Sequence, residues 1–560
     1  MQSLTIATLG LLMLANSPAP VEKNADQAFD AVYSRYLAKY KPLTIEAGKA
    51  WWEASITGDK AAFDRREVAD NKLIELHSDT ETFKTLKALR DGNKITDPIK
   101  RRMLDVMYWE FLPGQADPEL QKRIVASETE IERIFNTHRG KVDGKEVSEN
   151  DVREILGSTK DSDKAKQAWL GFVSVSRKVA DKLRETVRMR NELARKLGFE
   201  DYYEMKLAAQ EIDEADLLRV FDELDILTRD AFADLKRDID TQRAAHFGID
   251  VRDLRPWHMG DIFFQEAPPL GGANLDEVYA SEDLLALTKK YYKGMGLEVD
   301  AILSRSDLYE KPGKSSHAFA TDINRLDDQR VLCNLKPNLR WADTLIHELG
   351  HAVYDQYINH DLPFILCTPS HSITTEGYAM MMGAMAKNPE FLTKVVGLSD
   401  ADAAKYVAAA RESLRAEKLI FSRWAQVMVR FEHGMYNNPE QDLAKLWWDL
   451  KRDYQLVNPP EDATMPGYAA KIHVVTVPVY YHSYMLGDLF ASQVNDTIAR
   501  KVIKTDNVRE TAYVGSTDAG DFMRREIFGP GNRYNWRELT ERITGKPISP
   551  EFFVRQYILQ

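Results

Sequence analysis

Two histidines four residues apart enclose a glutamate in the run His347-Glu348-Leu349-Gly350-His351. On an α-helix that spacing puts both imidazoles on one face, a turn apart, where each can offer a nitrogen to one zinc ion. Glu348 is rotated about 100° from His347, so it can take a proton from water at such an ion without being a ligand itself. With 12 histidines in 560 residues, the pattern is expected by chance only about 0.02 times in this chain. The chemistry it points to is metal-assisted hydrolysis, with Glu348 as general base.

A catalytic zinc keeps three protein ligands and one open position. In the extended three-histidine pattern the third ligand falls six residues after the second histidine, where this chain has Tyr357, and the glycine of that pattern is replaced by Tyr354. His360 is out of register, so a carboxylate is expected. Glu376, in Thr374-Thr375-Glu376-Gly377, opens a second helical run, and an antiparallel helix would carry it to the metal. A glutamate in a first turn also simply complements the helix dipole, and spacing alone leaves both readings open.

The elements that must position these residues are mostly helices. From about residue 26 to 246, apolar residues recur at three- and four-residue spacing with charges between them, as in 28–40, 164–197 and 214–246. Stops are expected at Gly92-Asn93, Gly140 and Gly198, and starts at Ser148 and Asp213. Between 256 and 338 the chain turns rich in proline and glycine, and 317–321 and 331–335 predict two short strands joined by a polar turn at 324–329. Helical periodicity resumes at Trp341 and runs on, broken by a loop at 361–373 and a proline-rich turn at 458–467. No fixed repeat or flexible linker appears, so residues 21–560 are expected to form one large, mainly α unit with a small β element.

Composition narrows the function. The 75 basic and 87 acidic residues leave a formal charge of −12, which argues against nucleic acid as a partner, and 44% hydrophobic residues exclude disorder as the dominant state. Cys333 and Cys367 are the only cysteines, so a disulfide scaffold is excluded, and spacing does not say whether they pair. Residues 4–15 form a twelve-residue apolar run followed by small residues, the length of a signal-peptide core, although a basic start is missing. Residues 1–20 are therefore expected to be a signal peptide directing export to the periplasm or the exterior. No later apolar stretch of about 18 residues suggests a membrane anchor.

Taken with what surrounds them, these residues resemble the angiotensin-converting enzyme family of zinc peptidyl-dipeptidases. Asp361-Leu362-Pro363 follows the two-histidine run as in that family, and Glu376 lies 29 residues after His347, one more than the family spacing. The resemblance implies a large two-lobed helical fold with a deep central cleft, one zinc ion on His347, His351 and Glu376, and oligopeptide substrates with a free C-terminus. His317-Ala318-Phe319-Ala320 stands where the family has its His-Ala-x-Ala strand. It implies that the backbones of Ala318 and Ala320 pair with the peptide while His317 bonds a substrate carbonyl. Ala470-Lys471-Ile472-His473 resembles the family's Lys-x-His element, and Tyr481 and Tyr484 have the spacing of its two site tyrosines, with Tyr480 competing. By resemblance Gln265, Lys471 and Tyr481 clamp the C-terminal carboxylate, His473 holds the peptide, and Tyr484 bonds the oxyanion. Trp51-Trp52, Ser55-Ile56-Thr57 and 447–451 extend the likeness, which is poor after about Val494.

Departures from the family matter as well. The family implies chloride as a further cofactor, but Ser483 stands where its coordinating arginine is expected, which argues against strong chloride activation there. Met380 replaces an aspartate that would support a zinc histidine, and Asp343, one turn before His347, is a substitute by spacing. Ser316 replaces the cysteine before the His-Ala strand. The competing readings are an oligoendopeptidase of the thimet oligopeptidase type, a single-residue carboxypeptidase, disfavoured because Gln265 is present, and a non-catalytic peptide-binding protein.

Overall fold

The computed structural model describes residues 24–268 and 274–559, so the expected signal peptide lies outside the described residues. Helices dominate, as the periodicity predicts. Nine of them bear on the site: α1 (Ala25–Thr57), α2 (Ser162–Val173), α3 (Ser176–Lys196), α4 (Glu214–Phe247), α5 (Leu339–Gln356), α6 (Ser372–Gly383), α7 (Asp400–Asn437), α8 (Leu443–Gln455) and α9 (Tyr481–Thr497). The largest hydrophobic core cluster runs from Ile131 to Ile558 and takes in buried residues of α2 to α9.

Two small antiparallel sheets complete the described chain. In the first, β1 (Gly140–Val142) pairs with β2 (Lys145–Val147), in register Val142↔Lys145. This hairpin corrects the reading of 26–246 as almost wholly helical. Asp143 and Gly144 have φ of 50° and 77°, the left-handed pair that an Asp-Gly two-residue turn supplies. Three-residue strands are too short for alternation to register against the surrounding helical pattern.

In the second sheet, β3 (Phe319–Asp322) pairs with β4 (Gln329–Leu332), in register Phe319↔Leu332 to Asp322↔Gln329. The expected strands are there but shifted: β3 begins after His317 and Ala318, and β4 ends before Cys333. The turn is built by side chains. Asp322 accepts from the backbone N–H groups of Asn324 and Arg325, and Asn324 accepts from those of Leu326, Asp327 and Asp328. Trp52 of α1 forms a small core with Ile323 and Leu332, and the Trp51 ring stacks on Phe319 at 4.3 Å. The hairpin is thereby fixed against α1.

Helix α5 starts where Asn338 accepts a hydrogen bond from Trp341 N. Its buried face, Leu345, Ile346, Leu349 and Val353, contributes about 1.5–3 kcal/mol per side chain, which anchors the helix in the core. Glycines let α6 come close to its neighbours. A Cβ at Gly350 would meet Ala379 Cα of α6 at 3.1 Å, and one at Gly377 would meet Gly487 O of α9 at 2.6 Å. Helix α6 is therefore sandwiched between α5 and α9 at near-backbone contact. Among the described residues no helix is long and apolar enough to cross a membrane.

Candidate metal centre and peptide site

Helix α5 presents His347 and His351 on one face, with ring centroids 4.9 Å apart. The close α5–α6 contact brings Glu376 opposite them. Its Oε2 lies 3.6 Å from His347 Nε2 and its Oε1 lies 3.7 Å from His351 Nε2. These separations are too long for hydrogen bonds, yet near the roughly 3.4 Å between two ligands each about 2.1 Å from a tetrahedral zinc. Glu348 also comes within reach: one ligand atom from each of His347, Glu348 and His351 lies within 4.8 Å of the others. Two imidazoles and carboxylates converging in this way are a donor set that fits zinc.

The electrostatics explain why a cation belongs there. Burial pushes the Glu348 carboxyl up to about 8, the neighbouring Glu376 adds to the rise, and the Ala320 N–H opposes it. Burial also raises Glu376 and pulls His351 down to about 3 and His347 below its usual value. Without positive charge the buried centre thus disfavours both ionised carboxylates and charged imidazoles. A divalent cation would reverse that preference for the carboxylates and use the imidazoles as they stand. The Glu376 side chain is 38% exposed, so the centre is open to solvent on one side.

Two supports sit behind the histidines. His351 Nδ1 is 2.7 Å from Thr375 Oγ1, which turns Nε2 toward Glu376. The sequence reading missed this partner, although Thr375 adjoins Glu376. For His347, burial lowers the pKa while the charge of Asp343 and the Ala379 carbonyl oppose that lowering. Met380 serves packing instead: its Cε would lie 2.8 Å from a Cβ at Gly487.

Strand β3 borders Glu348 through the Ala320 N–H on its edge away from β4, and among the described residues that edge has no strand partner. His317 is exposed, and its hydrogen bonds run only to Ser315 and Ser316. Ala318 lies just before the strand.

Tyr484 packs between the rings of Tyr480 and Tyr481. Tyr480 and Tyr484, with rings 5.2 Å apart, both feel the charge of Glu376, and the Tyr480 hydroxyl is engaged by Ser372. The Tyr481 ring lies 5.5 Å from that of Tyr484, 5.9 Å from Trp424 and 5.3 Å from His473. There Lys471 Nζ donates to Gln265 Oε1 at 2.8 Å and lies 5.0 Å from the Phe263 ring and 5.5 Å from the rings of Trp424 and Tyr481. Burial pulls the Lys471 ammonium down to about 8 while Asp261 holds it up. His473 is pushed down to about 4 by burial and by Lys471, and its Nδ1 is buried with no partner.

Ser483 and His482 both reach Gln210 Oε1, at 3.4 and 3.1 Å. Cys333 and Cys367 are both buried and free, which settles the open question of their pairing.

A sequence profile of the family described as angiotensin-converting enzyme matches residues 22–258 and 273–557. The match runs well past Val494, which corrects the expectation of a poor likeness there. It skips the segment that carries Gln265. The chain is also 24% identical over 297 residues to a protein of Bacillus subtilis (strain 168) named Carboxypeptidase 1, covering 49% of this chain and 58% of that one.

Proposed function

Because the chain belongs to the angiotensin-converting enzyme family of peptidases, we propose that it is a zinc peptidase releasing C-terminal dipeptides from oligopeptides. His347, His351 and Glu376 would hold the metal. A zinc ion in that place supplies Lewis acidity toward a carbonyl oxygen and lowers the pKa of water toward about 7. Glu348, buried beside the histidines, takes the proton of the attacking water and later hands it to the leaving amine. Tyr484, whose neighbour Tyr480 is engaged by Ser372, donates to the developing oxyanion, a contribution of about 3–4 kcal/mol in other hydrolases. The unpartnered edge of β3, through Ala320 and the adjoining Ala318, receives the peptide as an added strand. His317 and the free ring nitrogen of His473 hold substrate groups.

The observation that carries the dipeptide reading is the Lys471–Gln265 bond beside Tyr481. A carboxylate can replace Gln265 Oε1 as acceptor from Lys471 while the Gln265 amide turns to donate. Such a site measures distance from a free C-terminus, which an internal cutter does not need. Glu348→Gln tests the mechanism: the variant should retain zinc and lose turnover, and substantial remaining activity would refute the general-base role.

The name of the Bacillus relative favours a second reading, removal of a single C-terminal residue. Identifying the released product, amino acid or dipeptide, separates the two. We further take residues 21–560 to act as one catalytic unit exported behind the 1–20 leader. The Ser483–Gln210 contact supports activity without chloride at that position.

A further inference from the structure

We propose that Lys451 and Gln455 are positioning residues for the carboxylate site: by holding the carbonyls of Phe263 and Phe264 they fix Gln265 opposite Lys471, and with it the register of cleavage. The inference rests on the C-terminal clamp proposed above.

Residues 261–264 are buried yet belong to no helix or strand. Irregular backbone in a core must satisfy its peptide groups with side chains, and here it does so residue by residue. Trp169 Nε1 of α2 donates to the Ile262 carbonyl at 2.9 Å. Lys451 Nζ and Gln455 Nε2, one turn apart on α8, donate to the carbonyls of Phe263 and Phe264, each at 2.6 Å. On the other side Asp261 Oδ2 accepts from Phe263 N and Gln265 N at 3.2 and 2.9 Å, and Arg153 holds Asp261 at 3.1 Å. Three successive carbonyls thus each meet a buried donor, directly before the glutamine that touches Lys471.

The backbone between them is not relaxed. Phe264 has φ of 53°, in the left-handed region that a bulky side chain avoids. Such a conformation persists only where its surroundings over-determine it, and such places cluster at functional sites. Lys451 is itself an unusual choice for the α8 core face. It is 3% exposed, and among the described residues it makes no ion pair. Lys236 and Lys471 face it with like charge and Asp261 with opposite charge, and burial brings its ammonium down to about 7. Both the ammonium and the neutral amine donate, so the bond to Phe263 O survives either state. Gln455 Oε1 is buried without a partner, a cost that a leucine would avoid. These two polar side chains are therefore explained by the carbonyls they hold, not by packing.

The test uses the full-length zinc-loaded protein and one oligopeptide prepared as the free acid and as the C-terminal amide. Lys451→Met and Gln455→Leu are compared with wild type, so that one variant still decides the matter should the other fail to fold. Each should lower the acid-to-amide ratio of kcat/KM about tenfold, through KM for the acid, while the amide changes by less than about twofold. Products should spread from pure dipeptide to neighbouring lengths. An unchanged ratio with pure dipeptide release, or an equal loss on both peptides, overturns the inference. Gln265→Ala separates it from the clamp. If that variant loses the ratio while the α8 variants keep it, only the positioning role fails; if it too keeps the ratio, the clamp and this inference fail together.

Discussion

Lys471 and Gln265 meet through a 2.8 Å hydrogen bond from Nζ to Oε1, inside a cage formed by Phe263, Trp424 and Tyr481. This ammonium, buried among aromatic rings with a neutral amide as its bonded partner, is where the proposed clamp takes the substrate carboxylate. Removing it should cost a charge-assisted hydrogen bond, about 1.5–3 kcal/mol, or roughly 10–150-fold. Lys471→Met is expected to raise KM for free-acid peptides by that factor and to leave their amides nearly unchanged. Steady-state kinetics on matched peptide pairs checks this.

The same lysine predicts a pH effect. Its ammonium lies at about 8 and is charged below that value, so affinity for a free carboxylate is present at neutral pH and lost as pH rises through about 8. The acid-to-amide ratio of kcat/KM, in which groups shared by both reactions cancel, should fall across that window. A ratio that stays flat from about pH 7 to about pH 9.5 contradicts the role of Lys471.

Thr375 should matter to the metal without touching it. Its hydroxyl is the partner of His351 Nδ1, and losing such a support typically weakens metal binding about 10–100-fold. Thr375→Val is expected to shift zinc affinity by that much in a chelator competition, with little change in melting temperature of the metal-free protein.

Gly377→Ala should damage both stability and the site. The new methyl would meet Gly487 O at 2.6 Å and push α6, with Glu376 on it, away from α9. Overpacking of this kind costs about 1–3 kcal/mol. A lowered melting temperature together with reduced zinc content is the expected pair of results.

Acid stability should respond to His258, which packs against Phe247 and Trp257. Its Nδ1 accepts from Arg255 N at 2.9 Å and its Nε2 contacts Ser162 Oγ at 2.8 Å, so the native fold holds the neutral ring. Burial pushes its pKa down to about 4, below the unfolded value of about 6.5. The unfolded state therefore binds the extra proton first. The stabilising preference for the neutral ring is intact above about 6.5 and is lost as pH falls toward about 4. Denaturant melts of wild type and His258→Asn across that window should show a shallower acid slope in the variant.

The placement of His347 and His351 on one face of α5 was fully legible in the sequence, because two histidines at helical spacing carry their geometry with them. Glu376 was legible only through resemblance. What brings it to the histidines is the close contact allowed by Gly350 and Gly377, and glycine at a crossing leaves no periodic trace. The β3–β4 hairpin was visible as two apolar runs, but its turn was built by Asp322 and Asn324, whose side chains bond turn backbone, and β3 starts two residues later and β4 two residues earlier than the runs suggest. The β1–β2 hairpin was hidden by its shortness, despite the Asp143-Gly144 signal. Lys451, Gln455 and Trp169 could not be found in advance: each reads as an ordinary helix residue, and its bond to a distant carbonyl exists only once the chain is folded.

The most direct test is mass analysis of the products from an unblocked oligopeptide and its C-terminal amide, with and without a chelator. Successive release of dipeptides from the free acid alone, abolished by chelation and restored by zinc, is the predicted result. Equal cleavage of both peptides at internal bonds, or turnover that survives removal of the metal, would contradict the account.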